Sequence, residues 1–173
     1  LINPNNNWQN LGYLSKSNDI SVEFQVGVDS IRNHLDPAQY PNNHPLSYQS
    51  PSMHWQMGSN PLNWSYLFLV IEGLADLNSN GLFEPGEIFV FHIGGDPFRS
   101  NSKIINCIVN DSIIELGTNN TLVSSYLIKV NINWSSIINN IDIKNNNFTH
   151  TMDNVTLATQ ISDNCENLIF EYN

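Results

Sequence analysis

The alternation of hydrophobic and polar residues along this chain has the two-residue period of β-strands at several places. In DISVEFQVGVD (residues 19–29) apolar and polar residues alternate, which predicts a strand with one buried face. WSYLFLVIEG (residues 64–73) is almost continuously apolar and predicts a strand that is buried on both faces. EIFVFHIGG (residues 87–95) predicts its antiparallel partner, in which Phe91 and His92 face opposite sides.

Short strands separated by turns continue through the second half of the chain. SKIINCIVND, SIIELG and TLVSSYLIKVNINW predict strands joined by Asn, Asp and Gly turns, and NLIFEYN predicts a closing strand. DNVTLATQISDNC predicts a short helix with Asp153 or Asn154 as its N-cap. The whole pattern predicts an all-β fold: an antiparallel β-sandwich over residues 19–173, with one short C-terminal helix and a loose lead-in at residues 1–18.

Residues 30–63 interrupt this pattern of strands. Prolines recur there too closely for a long regular element, which predicts a long structured loop between two strands. Loops of this length in compact domains are either functional or disordered, and the histidines and large aromatic residues of this one favour order. The prolines are Pro37, Pro41, Pro45, Pro51 and Pro61.

Charge and cysteine content narrow the classes of function. The 173 residues include 6 Lys and Arg against 16 Asp and Glu, a formal net charge of −10. Such a chain repels phosphate backbones and anionic lipid but attracts cations, so we expect no nucleic-acid binding. The longest apolar run is far too short to span a bilayer, so no membrane insertion is expected. Cys107 and Cys165 allow one disulfide or two buried thiols, and the sequence does not decide between them.

The segment DLNSNGLFEPGE (residues 76–87) has the spacing of a calcium-binding loop. Oxygen-bearing side chains recur at alternate positions, a glycine allows the sharp bend, and the last glutamate closes an all-oxygen shell around a hard cation. Both flanks have the pattern of strands, so we predict a hairpin insertion with a structural calcium ion. The alternative is a polar hairpin turn, because such turns are often rich in Asp, Asn and Gly. The predicted calcium ligands are Asp76, Asn78, Asn80, Leu82 and Glu87.

Histidine, methionine and tryptophan concentrate in the long loop and the strands that follow it. A single histidine at the end of an apolar face is by default a structural residue, but several converge on this part of the chain. Imidazole and thioether are the ligands that copper, and Cu(I) above all, prefers. Met53, Trp55 and Met57 fit the same chemistry. The predicted copper ligands are His34, His44, His54 and His92.

Several segments occur in an order that resembles one known family. FQVGVDS, NHLDP, HPL with PSMHW, YLFLVIEG, FVFHIGGD and ISDNCENLIF are similar to segments of the MbnP-like proteins. These are extracytoplasmic copper-binding proteins associated with methanobactin systems. The resemblance implies a β-sandwich-type domain in the periplasm or outside the cell. It also implies copper bound by histidines, near a tryptophan that a di-haem MauG-like partner oxidises to kynurenine.

The resemblance also assigns roles to individual positions. It implies that His34 of NHLDP and His92 of FHIGG are copper ligands, and that Trp55 of MHW is the ring that is modified. His44 matches the HPL element of one branch of the family. His150 of FTHTMDN matches a recurrent family histidine whose role the resemblance leaves unassigned.

Three positions or segments depart from the family pattern. His54 stands where the family commonly has an aromatic residue, so its role rests on local chemistry alone. Met57 stands where the family commonly has a second tryptophan, and it offers a thioether instead. Only 18 residues precede the first predicted strand, where the family usually has another block of strands. A fragment, a different sheet or a partner chain that completes the sheet would account for this difference.

Two classes of function follow from these observations. The first is an extracytoplasmic protein that binds or buffers Cu(I) through its histidines without catalysing a reaction. The second is a calcium-stabilised adhesion, filament or carbohydrate-binding module, in which Trp55, Trp64 and neighbouring tyrosines form a platform and the histidines are incidental. An enzyme is not expected, because the sequence has no GxSxG motif and no Cys-His signature of a hydrolase.

Overall fold

The structure is a computed structural model that describes residues 19–48, 50–56, 58–101, 103–108, 112–116, 122–126 and 131–170. The predicted lead-in at residues 1–18 and the residue Met57 lie outside the described residues. The helices are α1 (Ser30–Asn33) and α2 (Val155–Asn164). The strands are β1 (Asp19–Phe24), β2 (His54–Gln56), β3 (Trp64–Leu74), β4 (Ile88–Gly94), β5 (Lys103–Ile108), β6 (Ser112–Leu116), β7 (Leu122–Tyr126), β8 (Asn131–Ile132), β9 (Phe148–Thr149) and β10 (Ile169–Phe170).

The described strands form one four-stranded sheet and three two-stranded pairs. The larger sheet has the order β2–β3–β4–β9, and the pairs are β1–β5, β6–β7 and β8–β10. All neighbours are antiparallel except β4 and β9, which are parallel. The predominance of strands confirms the predicted all-β class, and the antiparallel pairing of β3 with β4 confirms the predicted partner of β3. The parallel pair was not predicted, and these pairings do not by themselves define the two facing sheets of a sandwich.

Helix α2 covers one face of the four-stranded sheet. Its N-cap is Asn154, one of the two predicted caps, whose side chain accepts a hydrogen bond from Leu157 N at 3.1 Å. Leu157 and Ile161 lie four positions apart, hence on one side of the helix, and share the main core cluster with Phe91 and Ile93 of β4. Phe24 of β1 and Leu69 and Ile71 of β3 pack against the same cluster, so helix and strands share this core, and the sandwich arrangement remains a prediction. Neither described helix is long and apolar enough to cross a membrane.

Cys165 lies at the end of this core, directly after α2. It is a free thiol with only 6% of its surface exposed, and burial raises its pKa to about 12. Of the two alternatives that the sequence left open, the structure therefore has a buried thiol at this position.

The segment between α1 and β3 is built from short ordered pieces. Two 3-10 turns, at Pro37–Gln39 and Pro61–Asn63, each begin with proline after a capping side chain. Between them β2 joins β3 as an edge strand of the sheet. The sequence did not predict β2, because three residues are too few to show a two-residue period.

A bulge in β3 decides which side chains share a face of the sheet. The register between β3 and β4 shifts between Leu67 and Leu69, which leaves Phe68 as the extra residue. Leu67 is therefore opposite Gly94, on the same face as His92.

The bulge also sets the orientation of β2. Because alternation continues from the bulge, Ser65 lies on the face of His92 and Tyr66 lies on the other face. Trp55 pairs with Ser65 and His54 pairs with Tyr66. Trp55 therefore shares the face of His92, and His54 does not.

Candidate metal centre

Two histidines lie side by side on the face of the sheet opposite α2. The parallel pairing of β9 with β4 aligns Val90 with Phe148, and two positions further on it brings His150 beside His92. The two imidazole rings have their centroids 4.8 Å apart, with an angle of 34° between the ring planes. The Trp55 ring lies 6.0 Å from His92 and 5.7 Å from His150, centroid to centroid.

Each of these two histidines has one ring nitrogen next to a carboxylate. His92 Nε2 is 2.6 Å from Glu72 Oε1, and His150 Nδ1 is 3.4 Å from Asp153 Oδ2. Carboxylates in this position fix the orientation and tautomer of a histidine ring and leave its second nitrogen for a metal ion. Within the described part of the chain, neither His92 Nδ1 nor His150 Nε2 makes a hydrogen bond.

A tight turn holds His150 against β4. Thr151 is 4% exposed, and its Oγ1 donates to His92 O at 2.9 Å and accepts from Gly94 N at 3.0 Å. Asp153 Oδ2 also accepts a hydrogen bond from His150 N at 3.1 Å. The position of His150 relative to His92 therefore depends on backbone contacts as well as on the two-residue strand β9.

A cleft of about 880 Å³ opens beside Trp55 and His150. Its floor includes Ser65, Gly94 and Gly95, whose small side chains leave the space open. A Cβ atom at Gly94 would lie 2.5 Å from Tyr66 O, so only glycine fits there without movement of the backbone. The remaining lining residues are His34, Leu62, Asn63, Trp64, Asp96, Pro97, Phe98, Thr151, Met152 and Asp153.

His34 contributes to the cleft, but both of its ring nitrogens are engaged. Nδ1 lies 2.7 Å from Trp64 O and Nε2 lies 3.2 Å from Asp96 Oδ2. Asp96 also accepts a hydrogen bond from Asn33 Nδ2 at 2.7 Å. These contacts connect the end of α1 to β3 and to the turn after β4. His34 therefore has a structural role in this conformation, whereas metal binding there remains a prediction.

His54 lies on the other face of the sheet, where its ring centroid is 4.6 Å from that of Tyr66. Neither ring nitrogen is accessible to solvent or makes a well-formed hydrogen bond to the described residues. Burial lowers the pKa of His54, and the charge of Asp36 and the backbone of Leu35 only partly offset this. His54 therefore sits away from the His92–His150 pair, in an apolar environment.

His44 lies in the loop that precedes β2. Its ring stacks on Tyr40 with centroids 4.4 Å apart and an interplanar angle of 12°. Its Nδ1 accepts a hydrogen bond from Leu46 N at 3.1 Å. The structure thus does not bring the four predicted histidines together. Among the described residues, no three or more His, Cys, Asp or Glu side chains are arranged to hold a metal ion.

The predicted calcium loop lies, as expected, in the connection between β3 and β4. Asp76 accepts hydrogen bonds from Asn80 N and Gly81 N, at 3.0 and 2.8 Å. Glu87 accepts hydrogen bonds from Asn78 N and Glu84 N, at 3.0 and 3.1 Å. The turn is therefore closed by hydrogen bonds from its own backbone to the side chains that were predicted as ligands.

The amide side chains of the same turn form a second set of contacts. Asn78 Nδ2 and Asn80 Nδ2 both donate to Glu84 Oε2, at 3.0 and 2.8 Å, and Asn80 Oδ1 accepts from Leu82 N at 2.8 Å. This arrangement is also that of a polar hairpin turn, so a bound calcium ion remains a prediction.

Sequence reasoning singled out His92 and Trp55 but missed the carboxylates and the role of His150. Glu72 follows an apolar run and gives no local signal. His150 is preceded by a strand of only two residues, so no periodic pattern connects it to β4. The only signal was the family resemblance, which marked His150 without a role.

Comparison with known proteins adds one match. The sequence profile of the MbnP family matches residues 3–154, which is most of the chain. No curated protein and no solved structure matches the chain significantly.

Proposed function

Because the chain belongs to the MbnP family, we propose that it is an extracytoplasmic protein that binds or buffers Cu(I) between His92 and His150. Family membership indicates a methanobactin-associated, copper-related role. The observation that supports the specific site is the pair of adjacent imidazole rings, 4.8 Å apart, each with a carboxylate at one nitrogen.

The chemistry of the pair suits a borderline or soft metal ion. Neutral imidazole is a good ligand for copper, and the free nitrogens of His92 and His150 are the atoms that would bind it. Glu72 and Asp153 orient the two rings, and the net charge of −10 attracts a cation. Bound copper would supply redox and Lewis-acid chemistry, but we propose storage or transfer rather than turnover.

Anaerobic titration with a Cu(I) chromophoric chelator tests this proposal. We expect one high-affinity copper per wild-type chain, and loss of that site in His92→Ala and in His150→Ala. His54→Phe is a matched control, because it removes a histidine from the other face of the sheet and keeps a ring against Tyr66. Unchanged stoichiometry in both alanine variants would reject the site. If the chain binds a polysaccharide but no copper, this result would favour the carbohydrate-binding module instead.

Trp55 is the proposed site of oxidative modification. Its ring lies next to both histidines, and it lines the cleft through which a partner would reach it. We propose a di-haem MauG-like protein as that partner, with the periplasm or cell exterior as the location. Intact-mass measurement of the protein from its native source tests for kynurenine at Trp55. An unmodified mass, with the partner gene expressed, would contradict the proposal.

A structural calcium ion is a second metal proposal, based on the spacing of residues 76–87. We expect calcium to raise the melting temperature, with no effect of calcium in Glu87→Gln. Glu166→Gln, an exposed acid outside the loop, is the matched control. If calorimetry detects no calcium binding to the wild type, the segment is a polar hairpin turn only.

A partner chain that extends the four-stranded sheet is a further proposal. The sheet ends at β2 and β9, which have only three and two residues. Edge strands offer unpaired backbone groups to another chain. Light scattering during size-exclusion chromatography tests for an oligomer of this chain, and a monomer at all concentrations would exclude self-association.

A further inference from the structure

Met152 is an exposed methionine that lines the cleft beside His150. Its relative exposure is 74%, and it lines the cleft together with Trp55 and His150. A single exposed apolar residue is ordinary on a protein surface. Met152, however, lies two residues after His150 and lines the same cleft.

The backbone between His150 and Met152 is strained. Met152 N donates to His150 O at 2.6 Å, which closes a three-residue γ-turn around Thr151. Thr151 has a φ of 62°, a conformation that β-branched residues rarely adopt. Such a conformation is unfavourable and persists only where surrounding contacts enforce it.

Contacts with β4 enforce this conformation. The Thr151 hydroxyl bonds to both His92 O and Gly94 N, and the residue is almost fully buried. The fold thus keeps a strained turn whose two outer residues, His150 and Met152, both line the cleft. Strain of this kind concentrates at ligand-binding and catalytic sites.

The donor set of the proposed copper site has room for one more ligand. His92 and His150 offer one nitrogen each, and among the described residues no third His, Cys, Asp or Glu completes a metal-binding group. Asp153 already contacts the backbone and the ring of His150. A thioether is a soft ligand that selects Cu(I) over harder ions.

We propose that Met152 is a third ligand of the copper site, through its thioether sulfur, and that it gives the site its preference for Cu(I). This inference rests on the proposed copper function. The strained turn at Thr151 places His150 and Met152, two residues apart, in the lining of one cleft, so both side chains would be available to a cuprous ion bound there.

Affinity measurements on Met152→Leu test the inference, because leucine keeps the apolar volume and removes the sulfur. We expect Met152→Leu to weaken Cu(I) binding by about tenfold or more and to change Cu(II) binding by less than about twofold. X-ray absorption of the Cu(I)-loaded wild type should show one sulfur neighbour, which is absent from Met152→Leu. Near-UV circular dichroism of the metal-free protein verifies that the variant is folded.

Met53→Leu is the matched control, since Met53 directly precedes β2 and offers the alternative sulfur. It should retain both the sulfur neighbour and the Cu(I) affinity. Equal Cu(I) affinity of the wild type and Met152→Leu, or loss of the sulfur neighbour in Met53→Leu, would overturn the inference. If the wild type binds copper, and this binding depends on His92 and His150 but not on Met152, only this inference fails. If the wild type binds no copper, the proposed function fails as well.

Discussion

Two adjacent residues of β2, His54 and Trp55, face opposite sides of the sheet, and the bulge in β3 decides which side each takes. Side chains alternate along a strand, so a shift of one residue moves every side chain to the other face. If the same residues paired regularly, with Phe68 opposite Gly94, His54 would turn toward the face of His92 and Trp55 away from it. The bulge therefore selects tryptophan rather than histidine as the neighbour of the His92 and His150 rings.

Replacing His54 with phenylalanine should stabilise the protein. Both ring nitrogens of His54 are shielded from water and make no well-formed hydrogen bond to the described residues, and an unsatisfied buried polar group costs about 1–3 kcal/mol. Phenylalanine keeps a ring against Tyr66, so we expect a gain of about 1 kcal/mol in the free energy of unfolding. Urea unfolding measures it. Loss of copper from His54→Phe would show instead that His54 is a ligand.

Thr151 should be replaceable by serine but not by valine. Serine keeps the hydroxyl that bonds to His92 O and Gly94 N, whereas valine leaves both groups without this partner. We expect Thr151→Val to lose about 1–3 kcal/mol of stability and to bind copper more weakly, and Thr151→Ser to change both less. Equal behaviour of the two variants would show that the hydroxyl does not position His150.

Cys165 should be chemically inert in the folded protein. In a Cys107→Ala background, thiol reagents at pH 8 should label Cys165 only after unfolding, because the buried thiol has a pKa of about 12. Because the folded pKa is above the unfolded value of 9.0, the contribution of this thiol to stability is constant below about pH 9 and is lost as pH rises toward 12. Rapid labelling under native conditions would contradict this, and Cys165→Ala should remove the alkaline component.

At the scale of elements, the strands that the sequence predicted are the long ones. The apolar run of β3 and the alternation of β4 were sufficient to predict their antiparallel pairing and the face that carries His92. The cap and position of α2 were also predictable, because Asn154 precedes an apolar helical pattern. The elements that complete the site, β2 and β9, have three and two residues, which is too short for any periodic signal. Their partners are set by tertiary packing alone, so the partner of His92 was not predictable.

The floor of the cleft depends on glycine in β4. A Cβ atom at Gly94 would meet the backbone oxygen of Tyr66, so Gly94→Ala should cost about 1–3 kcal/mol and weaken copper binding. Gly73→Ala is the control in β3, since its Cβ would meet only the ring of Phe89, which is able to move. Thermal unfolding and copper titration of both variants measure the difference. Equal effects would indicate that the floor tolerates a methyl group.

At the scale of the whole molecule, charge and metal binding act together. A net charge of −10 destabilises a compact chain through self-repulsion and favours the uptake of cations. The core beneath β4 is formed by α2 and neighbouring turns, on the face opposite His92. The proposed metal site therefore lies on a well-packed strand, on the face that carries Trp55 and His150, and these two residues line the cleft.

Copper should stabilise the folded chain in proportion to its concentration. Free copper at about one hundred times the dissociation constant adds about 2.7 kcal/mol to the free energy of unfolding, if the unfolded chain binds none. We expect a rise in the anaerobic melting temperature of the wild type, and none in His150→Ala. An equal rise of the melting temperature in the wild type and in His150→Ala would show that copper binds at another site.

The contact between Thr151 and His92 joins residues 59 positions apart in the chain. A metal ion held by residues on both sides of this contact is a reversible cross-link that closes a long loop. A covalent cross-link around a loop of that length would lower the entropy of the unfolded chain and so raise its free energy by about 4 kcal/mol at room temperature, and an exchangeable one by less. Loading with metal would then protect the folded chain from proteases that cleave the unfolded state. Release of the metal would make unfolding more frequent, so the lifetime of the protein would depend on whether metal is bound.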